Sequence, residues 1–420
     1  MRQVLSNSWA LFLGMFMLMI GNGLQGTLLG LRGAHENFST FEMSIVMSAY
    51  FVGFLFASSM APEMIRRVGH VRVFAALGST ISAVLILYPI MVTPWAWAIG
   101  RIIMGFCFCG VYITAESWLN DAATNETRGT SLSLYMIVQM GGIVVAQMIL
   151  LTGDIAGYVL FIIPSVLVSL AFAPILLSVS RVPSFGETKR MKLRDVAAAS
   201  PLASVGMFFL GGVFSAQFGM AAVYGARAGM SVPQISAMVS MIYIAALLLQ
   251  YPIGWLSDRM DRRILIVALS GIGALGAALS FLVPDTYWLI LVSAALVGGM
   301  SNPLYALLIA YANDYLERED MAAASGGLLF INGVGAIIGP LLIGLMMDWY
   351  GPGGYWGIIA AMLAALAVYG GWRMTQRTRD ASVIADPVSY APVSASSTPI
   401  AAEWAQEVYI DAELESEDEE

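Results

Sequence analysis

Twelve separate stretches of about 20 apolar residues, divided by short polar turns, constrain this chain more than any other feature of it. They fall at 9–31, 42–63, 72–92, 95–118, 131–151, 158–179, 201–224, 234–256, 264–283, 287–311, 325–346 and 355–374. A helix of that length crosses the hydrocarbon of a bilayer, and in lipid only a helix satisfies every backbone N–H and C=O within one such segment. Hydrophobic residues make up 59% of the chain and charged residues 11%, against roughly 45–50% and about 25% in soluble domains. A soluble core cannot absorb that excess. The expected fold class is therefore an all-α membrane protein with 12 transmembrane helices. Arg2 followed by an apolar run imitates a secretory signal, but the run continues through Leu31 without a clear small-residue cleavage site and reads as an uncleaved first helix.

Charge sets the expected orientation. Arg66, Arg67 and Arg72 follow segment 2; Arg181, Lys189, Arg190, Lys192 and Arg194 follow segment 6; Arg259, Arg262 and Arg263 follow segment 8; Arg373, Arg377 and Arg379 follow segment 12. The odd-numbered loops are poor in basic residues, with Arg32 and Arg227 as exceptions. The positive-inside rule then predicts that both termini and the even-numbered loops are cytoplasmic. The net charge of −8 belongs to the tail: residues 376–420 carry eleven acids and two arginines, a balance of −9, which leaves the body near neutral. Nucleic-acid binding has no support in this distribution. The domains read as 1–180, a six-helix bundle; 181–200, a polar cytoplasmic linker; 201–375, a second six-helix bundle; and 376–420, an acidic tail expected to be disordered.

The two bundles repeat each other at an offset of 192–193 residues. Gln25 maps to Gln217, Ser39 to Ser231, Ser44 to Ser236 and Arg67 to Arg259. Gly105, Tyr112 and Asn120-Asp121 map to Gly298, Tyr305 and Asn313-Asp314, and Gly142 maps to Gly335. Each half begins on the same side, so the repeat is parallel and predicts two pseudo-symmetric bundles that rock about a site between them.

One loop carries a specific motif. Between segments 8 and 9 the chain reads Gly254-Trp255-Leu256-Ser257-Asp258-Arg259-Met260-Asp261-Arg262-Arg263. This resembles the G-x-x-x-D-R-x-G-R-R signature of the major facilitator superfamily, with Asp261 at the usual glycine. The loop after segment 2 is a degraded copy: Pro62 and Arg66 stand at the first glycine and the aspartate, and His70 at the next arginine, while Arg67 and Gly69 remain. Arg101-x-x-x-Gly105 is similar to the family's fourth-helix motif. Ala115-Glu116-Ser117-Trp118-Leu119-Asn120 resembles the poorly characterised bacterial YcaD-type branch. Segment 11 contains Gly335-x-x-x-Gly339-Pro340, whereas segment 5 lacks the proline that drug antiporters place there. The resemblance covers roughly 5–375. It implies the twelve-helix fold of the family, a bacterial inner-membrane location, and a central cavity lined by segments 1, 4, 7 and 10.

Candidate roles follow. Arg101 lies about 10 Å inside the bilayer and is either a coupling cation, as the motif implies, or a snorkelling anchor. Arg67, Glu116, Asp121, Asp258, Arg259 and Asp314 sit at the ends of helices and are candidates for a gating latch or for loop electrostatics. Candidate substrate contacts are Asn22 and Gln25 in segment 1, Tyr112 in segment 4 and Gln139 in segment 5. The second half adds Gln217, Tyr243, Asn302, Tyr305 and Asn332. A buried amide in lipid needs a partner, so each faces either the cavity or a neighbouring helix. Gly141, Gly142, Gly333, Gly335 and Gly339 are expected to pack segments 5 and 11 against the opposite half. Cys107 and Cys109 read as small packing residues, and His35 and His70 as loop residues; no spacing suits a metal or cofactor.

These features predict a secondary transporter working by alternating access on a small organic solute, with protons as a candidate coupling ion, in a monomer surrounded by lipid. An intramembrane enzyme would need clustered His, Asp or Glu at membrane depth, which the sequence lacks. A non-transporting sensor or scaffold that binds a small molecule is the alternative class.

Overall fold

The computed structural model describes residues 2–123, 125–177, 191–316, 318–376, 398, 400 and 401. The first bundle contains α1 (Arg2–His35), α2 (Thr40–Val68), α3 (His70–Leu87), α4 (Pro94–Ala122), α5 (Asn125–Leu150) and α6 (Val159–Leu177). A short helix, α7 (Leu193–Ala199), leads into the second. There α8 (Pro201–Ser215) and α9 (Ala221–Arg227) form one span joined by a π-helical turn, Ala216–Met220. The remaining helices are α10 (Val232–Ser257), α11 (Arg262–Leu282), α12 (Tyr287–Asn313), α13 (Arg318–Tyr350) and α14 (Gly354–Gln376). Eleven spans are long and apolar enough to cross a membrane, and the apolar α6 completes the twelve expected from sequence. Most of the linker 181–200 and nearly all of the tail 376–420 lie outside the described residues.

Local chemistry sets the boundaries. Ser39 and Ser231, one repeat apart, each cap a helix start with a capping box, closed by Glu42 and Gln234 respectively. Pro94 and Pro201 occupy the first helical turn, where a missing N–H costs nothing. Gly69, at φ 89°, reverses the chain between α2 and α3 in a single residue. That corrects the expectation that His70 lies in a loop. It opens α3, is buried, stacks on Trp118, and its Nε2 lies 3.2 Å from Ser117 Oγ. His35, likewise, is the last residue of α1.

The pairing of helices repeats as the sequence does. In the first bundle α2 packs on α4, α1 on α5, and α3 on α6; in the second α10 packs on α12, α8 on α13, and α11 on α14. The bundles meet through α2 with α13 and through α10 with α5, a reciprocal pair that a pseudo-twofold axis along the membrane normal requires. Backbones touch where glycines remove the side chain. A Cβ on Gly105 would lie 1.8 Å from Tyr50 O, and one on Gly298, its repeat partner, 2.3 Å from Ile242 O.

The glycines of α5 and α13 correct a second expectation. Gly142 packs on Met19 and Phe16, Gly335 on Phe208, and Gly339 on Gly212 and Ser215, all within their own bundle. Of the five named, Gly333 is the one that meets the other half, at Leu55. The seam between bundles is made elsewhere. Gly344 faces Ser44, Gly30 faces Ala222, Ser48 Oγ donates to Ile337 O at 2.6 Å, and Arg227 donates to Phe38 O at 2.8 Å. These contacts cluster toward the face holding the odd-numbered loops, which is closed. The opposite face, where α1 starts and α14 ends, is called the terminal face below.

Exposed aromatics ring the helix ends. Trp95, Trp288, Trp349 and Tyr158 lie toward the odd-loop face, and Trp9, Trp255 and Trp372 toward the terminal face. Amphipathic rings favour these two levels of a bilayer.

Candidate functional site

The site lies between the bundles. A cavity with about 540 Å³ of unfilled space is bordered by Asn22, Tyr50, Phe51 and Phe54 from the first half and by Phe214, Phe218 and Asn332 from the second. Phe214 stacks on Phe218 with centroids 5.9 Å apart, and Tyr50 and Phe51 meet Phe218 across the bundle boundary. The lining is mainly aromatic. Its polar positions are the two amides, the Tyr50 phenol and Ser58.

Behind the first-half wall runs a continuous polar chain through four of the residues expected from sequence. Arg101 Nη1 donates to Gln25 Oε1 at 3.0 Å. Gln25 Nε2 donates to Asn22 Oδ1 at 3.1 Å. Asn22 Nδ2 donates to the Tyr112 hydroxyl at 2.7 Å and to the Tyr50 hydroxyl at 3.3 Å. Arg101 is 0% exposed, so it does not snorkel. Its guanidinium lies 4.6 Å from the centre of the Tyr50 ring and 6.0 Å from that of Phe218, both cation–π contacts. Aromatic faces and an amide oxygen thus take the place of a carboxylate. Burying a cation is costly, and these contacts offset part of that cost.

The second half is built differently. Gln217, in the π-helical turn, donates to Ser301 Oγ at 2.8 Å, and Asn302 Nδ2 donates to Gly298 O at 3.1 Å. Gln217, Ser301, Asn302 and Tyr305, with Leu210 and Phe214, enclose a second space of about 190 Å³. It shares Phe214 with the aromatic cavity. The buried Tyr305 hydroxyl has no hydrogen-bond partner. Asn332 lines the main cavity and donates to Met207 O at 3.0 Å. Gln139 is buried on α5 beside Tyr135, and Tyr243 is buried on α10; neither borders the two cavities.

The expected gating residues have partners close at hand. Arg67 pairs with Glu63 one turn away at 2.6 Å. Arg259 lies 4.2 Å over Trp255 and donates to its carbonyl. Asp258 caps α10 and is exposed. Asp314 pairs with Arg262, a buried arginine that sequence reasoning placed only among the topogenic charges. Burial pushes the Asp314 carboxyl up to about 6, against the pull of Arg262. Glu116 is fully buried, accepts the Tyr135 hydroxyl at 2.8 Å, and is touched by Thr398 of the tail. The Asp121 side chain lies outside the described residues.

Sequence reasoning missed Tyr50, Phe51, Phe54, Phe214 and Phe218. An aromatic in an apolar segment carries no mark that separates a cavity wall from lipid-facing or core filler. The amides were legible because an amide in lipid needs a partner.

Two six-helix bundles enclosing a solvent-sized cavity at mid-span define a membrane transport protein of the rocking-bundle kind. A sequence profile of the Major Facilitator Superfamily matches residues 11–231 and 203–404, and the chain belongs to that family. It is 26% identical over 356 residues to an uncharacterised MFS-type transporter of Enterobacter sp. (strain 638), covering 81% of this chain and 88% of the relative. It is 25% identical over 351 residues to the uncharacterised MFS-type transporter YcaD of Salmonella typhimurium, with the same coverage of 81% and 88%. Among solved structures, the fold is similar to the nucleoside transporter NupG, at a TM-score of 0.71 and 16% identity over 88% of this chain and 99% of that one.

Proposed function

We propose that this protein is a secondary transporter that carries a small, uncharged or weakly charged organic solute through the cavity between its bundles by alternating access. The supporting observation is the cavity itself, walled by Tyr50 and Phe51 from one half and by Phe214 and Phe218 from the other. A solute held there contacts both moving parts, so its binding energy can bias their rocking. In this reading both termini and the even-numbered loops are cytoplasmic in a bacterial inner membrane, which follows from the distribution of arginine and lysine. The cavity then faces inward, because the closed seam lies on the odd-loop face.

Protons are the coupling ion of this reading. Arg101 and Glu116 are fully buried on α4 on either side of Tyr112 and are the ionisable groups on which a proton gradient would act. Arg67, Asp258, Arg259 and Asp314 would form the latch of the outward-open state. In the present conformation Arg67 and Asp314 take partners within their own bundles, which leaves cross-bundle pairing to that other state. Solute uptake into proteoliposomes with and without an imposed pH gradient tests the reading. Flux that accelerates with the gradient and stops on Arg101→Ala is expected. Binding without any flux would sink transport, and flux indifferent to the gradient would sink proton coupling.

A further inference from the structure

The internal repeat is broken at one informative place. At the offset that maps Gln25 to Gln217, Asn22 maps to Phe214. In the first bundle Asn22 donates to Tyr112 and closes the space between α1 and α4. In the second, the phenyl ring of Phe214 has no hydrogen to offer Tyr305, the repeat partner of Tyr112. The Tyr305 hydroxyl is left buried and without a partner, and a space of about 190 Å³ opens beside it. Leaving a buried hydroxyl unpaired costs about 1–3 kcal/mol, which is tolerable where a ligand repays it.

We propose that this side pocket receives the uncharged hydrogen-bonding head of the transported solute, a hydroxyl-bearing or amide group, while the body of the solute lies among the aromatic rings of the main cavity. The inference rests on the transport reading above and narrows its substrate class. Phe214 walls both spaces, so one molecule can occupy both. The polar lining of the side pocket is two amides, a hydroxyl and a phenol, with no charged side chain, and a charged head would lose its hydration there without a counter-ion. The apolar neighbours Phe51, Phe54 and Phe218 suit a flat ring or hydrocarbon body.

Four probes sharing a phenyl ring test this on the purified full chain: phenyl β-D-glucoside and benzamide with neutral heads, benzoate and benzylamine with charged ones. Calorimetric titration is expected to show the neutral probes binding at least about ten-fold more tightly than the charged ones. Tyr305→Phe, which removes the hydroxyl, and Phe214→Asn, which supplies it with the partner Tyr112 already has, should each weaken the neutral probes about ten-fold, one hydrogen bond's worth. The Tyr305→Phe variant changes one atom and should stay monodisperse. Neutral probes that fail to bind, charged probes that bind as well, or affinities unmoved by Tyr305→Phe would each overturn the assignment. That last result is the one expected if a trapped water satisfies the hydroxyl. Flux of a bound probe separates the two readings: binding that responds to Tyr305→Phe without flux sinks transport and keeps the pocket, and flux indifferent to Tyr305→Phe does the reverse.

A second, independent observation concerns the terminal face. Thr398 and Ala401 are both 0% exposed, and Ile400 packs on the hydrophobic core. The Thr398 hydroxyl and the backbone N–H groups of Thr398 and Ala401 donate to the Glu116 carboxylate, which also lies within electrostatic reach of Tyr305 across the bundle interface. Thr398 is 22 residues beyond Gln376 (398 − 376), so the intervening chain can span ~70 Å and reaches this point without strain. We infer that the segment around 398–401 is a built-in plug that seats on Glu116 and obstructs the terminal-face mouth of the cavity. Maleimide labelling of Ser58→Cys, which lines that cavity, reads the obstruction in the full chain; Cys107 and Cys109 are buried and serve as unreactive controls. Ala401→Arg, which cannot be buried there, should raise the labelling rate at least about ten-fold, and Thr398→Val should raise it by less, since it removes one hydrogen bond. Unchanged labelling in Ala401→Arg would overturn the plug.

Discussion

Asn22 donates to Tyr112 at 2.7 Å and so ties α1 to α4 through the middle of the first bundle. The same amide accepts from Gln25 and reaches Tyr50. Asn22→Leu leaves three buried groups short of a partner, and its expected cost is about 1–3 kcal/mol. Thermal unfolding in detergent checks this. A variant as stable as the parent would mean that water fills the gap.

Gln25 and Gln217 are repeat mates with unequal duties. Gln25 accepts from the buried Arg101, whereas Gln217 donates to the neutral Ser301. Hydrogen bonds to charged groups contribute about 1.5–3 kcal/mol and neutral ones about 0.5–1.5. Gln25→Leu should therefore lower the unfolding temperature more than Gln217→Leu. Equal shifts would argue that the guanidinium is held by Tyr50 alone.

Gly344 and Gly105 distinguish a moving seam from a fixed one. A Cβ on Gly344 would sit 2.6 Å from Ser44 in the other bundle, and one on Gly105 1.8 Å from backbone within its own. Gly344→Val should fold yet fail to close the odd-loop face, which labelling of a cysteine placed at Ser48 would reveal as faster modification. Gly105→Val should yield little monodisperse protein.

Asp314 makes stability fall as pH rises. Burial holds its carboxyl at about 6 in the folded protein, Asp261 adds to the rise, and Arg262 opposes it. The unfolded chain keeps the ordinary value near 3.9, so between about pH 4 and pH 6 the folded state binds more protons than the unfolded one. Stability should decline across that window, by at most about 3 kcal/mol, and level off above it. Asp314→Asn should flatten the slope. Denaturation followed across the window decides, and a rising curve would show Arg262 to be dominant.

Ser39 and Ser231 close matching capping boxes at the odd-loop ends of α2 and α10. Each Ser→Ala change should cost about 1 kcal/mol. The two losses should add in the double variant, since the caps share no partner.

The twelve spans and the twofold repeat were legible because apolar length and a constant offset survive any detail of packing. Asn22, Gln25, Tyr112 and Arg101 were legible as members of a site, but their linkage into one chain was not, since it depends on which face of each helix turns inward. The aromatic walls and the orphaned Tyr305 hydroxyl were hidden for a different reason. Phe214 looks like any other phenylalanine until it is set beside Asn22 in the repeat. The tail was misjudged at Thr398 and Ala401, because acidic composition speaks for the stretch as a whole and says nothing of four residues with a partner waiting.

The glycine contacts carry one more consequence. Gly53 and Gly105 weld α2 to α4, Gly298 welds α10 to α12, and Gly211 and Gly335 weld α8 to α13, all through main-chain approach closer than any side chain allows. Such joints tolerate no variation at the weld and almost any at a distance from it. A mutant library that spares these five positions and randomises Phe51, Phe54, Phe214 and Phe218 would therefore retool the cargo without disturbing the chassis.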